Sequence, residues 1–561
     1  MNSAVVAVVV LIFYFLGFKF YSKFLSLKIF QISDKEETPS HELNDGVDFV
    51  PANKHVLFGH HFASIAGAAP IIGPAIAIFW GWVPAILWVV LGTIFMGAVH
   101  DFSALVISAR MKGRSVGDLA GILLNSRART LFLLIVYFLI FFVIAVFAYF
   151  IAALFVKFPS SVLPVNFQII IAVVIGFLFY KRGVSILWPS IIALVMLYFM
   201  IWFGTKVPIQ IPEVMGSQEV SWILILIIYS FIASILPVWM LLQPRDYINS
   251  HQLILGLGIL FIGLLVAHPA MQAPAFNLDP AGSLPIFPFI FITIACGAIS
   301  GFHGLVSSGT TSKQLNNMTD SRVIGYGGMI GEGTLAMIAT LAVGAGIKHS
   351  VWLNHYDNWQ SATSGGVSNF VYGASTFLEA LKLPADFSNT LISVFVISFA
   401  VTSLDTATRI QRLVLGELGT AYKIRPLKNR YFAGLLAVVP ALLLALLAQA
   451  PGKGPGSGGF LLWPLFGATN QLVAGLTLMV ATVYLWKTGR KIIYTLIPMI
   501  FIVFVTMLSL AWNFKVFADN PLLLGLSAII LALAIWLILE GYFAIGRTKP
   551  EDSLLSKELN K

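Results

Sequence analysis

Apolar runs of about twenty residues recur along the whole chain, and a helix needs roughly 20 such residues to cross the hydrocarbon of a bilayer. They fall near 4–28, 62–80, 83–109, 130–157, 167–181, 184–205, 221–242, 252–269, 285–303, 323–346, 386–406, 430–449, 459–484, 492–513 and 521–546. Inside lipid every backbone polar group must be satisfied internally, so runs of this length are read as helices. The count is about fifteen, with 167–181 and 285–303 short for a full span. Composition agrees: 58% of residues are hydrophobic and 10% charged, against about 45–50% and roughly 25% in a soluble domain. The fold class expected is an all-α polytopic membrane protein whose first partner is the lipid bilayer. A net charge of +10 would suggest nucleic acid in a soluble protein. In a membrane protein the placement of charge matters more than its sum, and no nucleic acid is expected. The single cysteine, Cys296, lies in an apolar run, which excludes a disulfide framework or a thiolate metal cluster.

Charge placement gives a topology. With the N-terminus outside and the C-terminus inside, the cytoplasmic loops and their helix ends hold 28 of the 34 Lys and Arg residues. Adding or removing one span would invert every later loop and spoil that split. The first span lacks a small-residue cleavage site and is followed by Lys19, Lys23 and Lys28, so it reads as a retained anchor. Neither the mixed-charge stretch 31–57 nor the outer segment 347–385 is large or apolar enough to form a separate enzymatic domain.

Within this series, "FGHHFASIAGAAPIIGP" at 58–74 disrupts its own helix with Gly67, Pro70, Gly73 and Pro74. Proline removes a donor and clashes with the preceding turn, costing about 3 kcal/mol in a helix interior. A second stretch, "FIASILPVWMLLQPRD" at 231–246, shares Phe, Ser-Ile and a following proline, and lies five spans later in the opposite orientation. Paired breaks of opposite hand are what an inverted repeat of five plus five helices requires, and they point to a substrate site at the midplane. Free N–H groups at half-helix starts favour a carboxylate. The expected organisation is an accessory helix over 1–30, a cytoplasmic loop over 31–61, and a first repeat over 62–206. A second repeat follows over 221–406, including 347–385, then C-terminal accessory helices over 430–546 and a cytoplasmic tail over 547–561. Ser64, Gly67, Pro70, Ser234 and Pro237 are the expected substrate-site residues.

Six motifs then accumulate: "LFGHHFASIAGAAPIIGP" at 57–74, "GAVHDFSALVISARMKGRSVGDL" at 97–119, "CGAISGFHGLVSSGTTSKQL" at 296–315, "IGYGGMIGEG" at 324–333, "SFAVTSLDTATR" at 398–409 and "LLWPLFGATNQLVA" at 461–474. Together they resemble the carbon starvation protein A family of bacterial inner-membrane transporters over residues 50 to 480. The resemblance implies proton-coupled uptake of small peptides or pyruvate when carbon is scarce, and a core similar to the leucine-transporter inverted repeat. It leaves the part past 484 unmatched, read as two accessory spans.

Ionisable groups inside spans are costly and mark function. Glu332 lies among five glycines near the middle of its span, with no basic residue close in sequence, and is the candidate carrier of the coupled proton. Asp101 and His61 are candidates for relay or gating; Asp405 and Arg409, four residues apart, would form an ion pair on one helix face. Ser307, Ser308 and Thr310 offer hydroxyls to a cation or a carboxylate, and Lys313 a counter-ion. Adjacent histidines His60 and His61 point about 100° apart on a helix and suit no shared metal. No catalytic nucleophile–base set, no metal site and no cofactor are expected; the coupling ion is expected to be the proton, with sodium left open. A nutrient sensor built on the same core is the alternative to a transporter, although the chain carries no output domain. Asn470 and Gln471 read as hydrogen-bonding glue between helices.

Overall fold

The computed structural model describes residues 1–46, 48–182, 187–237, 240–278, 280 and 282–547. The tail expected over 547–561 therefore lies, past its first residue, outside the described residues. Helices account for nearly all regular structure, and the only β pairings among the described residues are three isolated bridges. Among the described residues twelve helices are long and apolar enough to cross a membrane, or up to thirteen if one bent pair is a single span. The expected fifteen is not reached by this measure. Trp188–Gly204 is shorter than a full span. The run 285–303 is interrupted, forming Ile286–Thr293 and then Gly301–Gly309.

The first break stands where the sequence puts it. Lys54–Ile65 and Ala69–Trp80 meet at 49°, with Ala66 outside the helical region at φ −74° and ψ 73°. Gly67 is required by close approach, since a Cβ there would stand 2.5 Å from Ser403 Oγ. Pro70 falls in the first turn of the second half, where its missing N–H forfeits no helix bond.

The second break does not lie at 231–246. Gln218–Ile235 and Leu242–Ala267 are two complete helices joined by a short connection. Leu236 precedes Pro237 and is pushed to extended backbone, φ −68° and ψ 150°, which ends the first helix. Pro244 sits in the first turn of the next, where it is tolerated. The second discontinuity is instead at 294–300, between Ile286–Thr293 and Gly301–Gly309. It faces the first: a Cβ on Gly297 would lie 3.6 Å from Pro70 Cα.

The bundle has a basic end, where Lys313, Arg409 and Arg412 line one cavity, and an aromatic end, where Trp359 and Trp463 line another. The first broken helix runs from basic to aromatic end and the second runs the other way. Leu242–Ala267 packs on Lys54–Ile65 and on Ala385–Ala421, while Trp463–Lys487 packs on Gly301–Gly309 and on Ser126–Lys157. The long helices Ser126–Lys157 and Ala385–Ala421 also pack on each other. The segment 347–385 is no loose loop. Trp359–Glu379 covers the aromatic-end half of the first broken helix, with Trp359 4.7 Å from Trp80 and Tyr356 Oη donating to Ala75 O at 2.6 Å.

Candidate functional site

Four ionisable side chains form a chain in the buried interior. Trp82–Arg110 supplies His100 and Asp101, Gly301–Gly309 supplies His303, and Gly327–Leu341 supplies Glu332. Each is at most 1% exposed. His100 Nδ1 lies 2.7 Å from Asp101 Oδ1, and His303 Nδ1 lies 2.9 Å from Asp101 Oδ2. On its other side His303 Nε2 stands 3.1 Å from Glu332 Oε2. Local sequence explains the crowding. Gly304 lets the His100 ring approach to 3.1 Å of where its Cβ would be, and Gly328 gives the same room to His61. Asn470 fixes the start of the helix carrying His303, its Oδ1 accepting the Phe302 N–H at 3.0 Å, while its Nδ2 donates to Cys296 Sγ at 3.1 Å.

The hydrogen-bond pattern fixes the tautomers. An ionised Asp101 has only acceptors, so both rings donate to it from Nδ1. The lone pair of neutral His303 then sits on Nε2, the atom that stands 3.1 Å from Glu332 Oε2. Two acceptors 3.1 Å apart repel unless a proton lies between them. A proton placed between His303 Nε2 and Glu332 Oε2 would relieve that repulsion.

A second charged cluster ties together the helices nearer the basic end. Asp405 pairs with Arg245 and accepts from Tyr229 Oη at 2.7 Å, while Arg245 also donates to Tyr229 Oη at 2.8 Å. The expected Asp405–Arg409 pair does not form. Arg409 instead reaches past the end of Gln218–Ile235 and donates to the carbonyls of Ala233 and Leu236, at 3.1 and 2.7 Å. Those terminal carbonyls have no intrahelical partner, which makes them strong competitors for a guanidinium.

Several of the remaining expected residues gather at the basic end, and Ser234 and Pro237 do not join them. Ser64 is buried, donates to His60 O at 2.8 Å and to Asp246 Oδ2 at 3.4 Å, and lines the basic-end cavity with Thr310, Lys313 and Arg409. His60 faces Asp246 at 3.2 Å, whereas His61 turns inward to Thr311 Oγ1 at 2.9 Å. Ser307 is buried without a hydrogen-bond partner, and Ser308 accepts the Val116 N–H at 3.1 Å. Ser234 donates to Phe231 O beside Arg430–Leu447, and Pro237 is exposed, so neither is brought to Ser64. Among the described residues no group of three or more histidine, cysteine or acidic side chains has the placement to hold a metal ion.

Sequence reasoning passed over Arg245, Asp246 and His303. The first two lie between the apolar runs 221–242 and 252–269, in a stretch that reads as a loop. His303 lay inside a quoted motif but is uncharged by formal count. A proline followed at once by an Arg-Asp pair is the signal for a helix start carrying buried charge.

The profile of the carbon starvation protein CstA family matches residues 2–355 and 354–509. The chain belongs to that family. It is 33% identical over 548 residues to the peptide transporter CstA of Campylobacter jejuni, covering 88% of this chain and 78% of that one. It is 31% identical over 585 residues to the pyruvate/proton symporter BtsT of Escherichia coli, covering 91% and 81%. A crystal structure of MhsT in complex with L-phenylalanine aligns with 88% of this chain and 99% of its own at 10% identity, with a TM-score of 0.48. This CstA-family chain is a multi-pass membrane protein, and the relatives it matches are transporters rather than enzymes.

Proposed function

We propose that the chain is a proton-coupled secondary transporter that takes up small carboxylate-bearing nutrients, peptides or pyruvate, across the bacterial inner membrane by alternating access. The names of its relatives support this substrate class. The observation that carries the coupling is the 3.1 Å contact between His303 Nε2 and Glu332 Oε2, set beside an Asp101 already engaged by two rings. Releasing the shared proton would leave two ionised carboxylates in one buried cluster, and unpaired buried charge is penalised by several kcal/mol. Release therefore requires the cluster to open or to gain a counter-charge. Because His303 rides on the second broken helix, that requirement links protonation to movement of the helix.

In this reading the five-plus-five repeat runs over 54–267 and 286–487. Each half opens with a broken helix and places a long helix third. Each closes on a helix that packs against its own broken helix and the long helix of the other half. The hairpin 159–204 is an insertion. The N-terminus lies outside and the C-terminus inside, with the basic end cytoplasmic, on the placement of Lys and Arg. The proton is the coupling ion and no resident cofactor is required. Uptake of labelled pyruvate, dipeptides and tripeptides into proteoliposomes tests the reading. Accumulation is expected only with an inward proton gradient, and equal uptake with and without the gradient would overturn it.

A further inference from the structure

The basic-end cavity, about 190 Å³ in volume, is lined by charges of both signs: Asp48 and Asp246, and Lys313, Arg409 and Arg412. We infer that it binds a short zwitterionic peptide, with its carboxylate against Arg409, Arg412 and Lys313 and its N-terminal ammonium on Asp246. The inference rests on the chain being a transporter of carboxylate-bearing nutrients and names the ligand and its contacts.

Asp246 is 1% exposed and lines the cavity. Its Oδ2 is engaged by Ser64 and faces His60, while its Oδ1 has no partner. A buried acceptor left unsatisfied is destabilising, by about 1–3 kcal/mol and more when charged. An ammonium brings three donors and a positive charge, which is what that oxygen lacks.

On the cationic side Asp48 lies within electrostatic reach of Arg409 and Arg412 but is ion-paired with neither. Arg409 and Arg412 stand three residues apart on Ala385–Ala421, neighbours on the helix surface, where like charges repel. Asp405, which would otherwise neutralise them, is held by Arg245. Arg409 uses one terminal nitrogen on the carbonyls of Ala233 and Leu236, and the buried Nε atoms of both arginines have no partner. Lys313 sits 5.3 Å over the Phe49 ring. Among the described residues none of these three cations is ion-paired with a carboxylate. A guanidinium pair of this kind suits a carboxylate, which accepts bidentate hydrogen bonds. Pyruvate would satisfy the cations but bring a second anion near Asp246 and leave Oδ1 bare. A peptide satisfies both signs of charge, and the volume limits it to a short one.

Calorimetry on the purified protein in nanodiscs tests this with L-alanyl-L-alanine, its N-acetyl form, its C-terminal amide and pyruvate. The wild type is expected to bind the free dipeptide at least ten-fold more tightly than either blocked form. Asp246→Asn should bind free and acetylated peptide alike, and Arg412→Gln should shrink the penalty for amidation. Equal wild-type affinity for free and acetylated dipeptide would overturn the inference, and that comparison needs no variant to fold. Proteoliposomes that concentrate pyruvate while the protein fails to bind the dipeptide would also overturn it and leave the transport reading intact. Vesicles that move neither solute would remove the transport reading itself.

Discussion

Replacing Asp405 by asparagine keeps the shape of the side chain and removes its charge. The Arg245 side chain is 2% exposed and Asp405 is fully buried, so the guanidinium loses its paired counter-charge at a site closed to bulk solvent. Breaking a buried pair from one side costs about 3–5 kcal/mol, because the partner is left uncompensated. Arg245→Gln should cost a similar amount for the mirror reason. The double variant removes both charges, so its loss should fall well short of the sum, with a coupling of about 3 kcal/mol. The same cycle between Asp405→Asn and Arg409→Gln should be additive to within about 0.5 kcal/mol, since Arg409 spends its hydrogen bonds on carbonyls. Unfolding in mixed micelles, followed by tryptophan fluorescence, gives the four free energies. A larger coupling to Arg409 than to Arg245 would refute this assignment and restore the pair that helical spacing suggests.

Gly67→Ala places a methyl 2.5 Å from Ser403 Oγ, and such overpacking should cost about 1–3 kcal/mol. Adding Ser403→Ala should recover part of the loss, and wild-type stability in Gly67→Ala alone would contradict the close approach. Lys428→Cys and Lys453→Cys in a Cys296→Ser background should label from opposite faces of the membrane; labelling from one face would break the span Arg430–Leu447. Outside the spans, Arg110 Nε and Nη2 grip Glu36 at 2.7 and 2.9 Å. Partial burial pushes that carboxyl up, but the hydrogen bonds and charge of Arg110 bring it net below its ordinary value. A depressed carboxyl stabilises the fold above its unfolded value, about 4.3, and loses that contribution as pH falls through the folded value. The deficit of Glu36→Gln should thus be present at neutral pH and vanish in acid, and an equal deficit at both would count against it.

Much of the architecture was legible because hydrophobic length is a strong signal. The helices Ser3–Ile29, Trp82–Arg110 and Ser126–Lys157 all lie where apolar runs of the right size stand. The first break was legible because Gly67 and two prolines disrupt one run. The second was not. Pro237 and Pro244 look like a break in sequence, yet they end one helix and begin the next. The real discontinuity at 294–300 contains no proline and reads as unbroken apolar chain. Glu332 and Asp101 could be named as isolated intramembrane acids. What joins them, His303, becomes visible only when a third helix is folded against theirs. Asp405 was similarly given its neighbour in the helix rather than Arg245, which is 160 residues distant.

In the proposed mechanism one proton shared by His303 and Glu332 couples the gradient to transport. Glu332→Gln reconstituted in proteoliposomes separates coupling from binding. Gln keeps the shape and can still donate to His303 Nε2, so exchange of external labelled substrate for internal unlabelled substrate should persist. Accumulation driven by an inward proton gradient should be lost. A Glu332→Gln protein that still concentrates substrate against its gradient, with the same response to pH as wild type, would contradict the account.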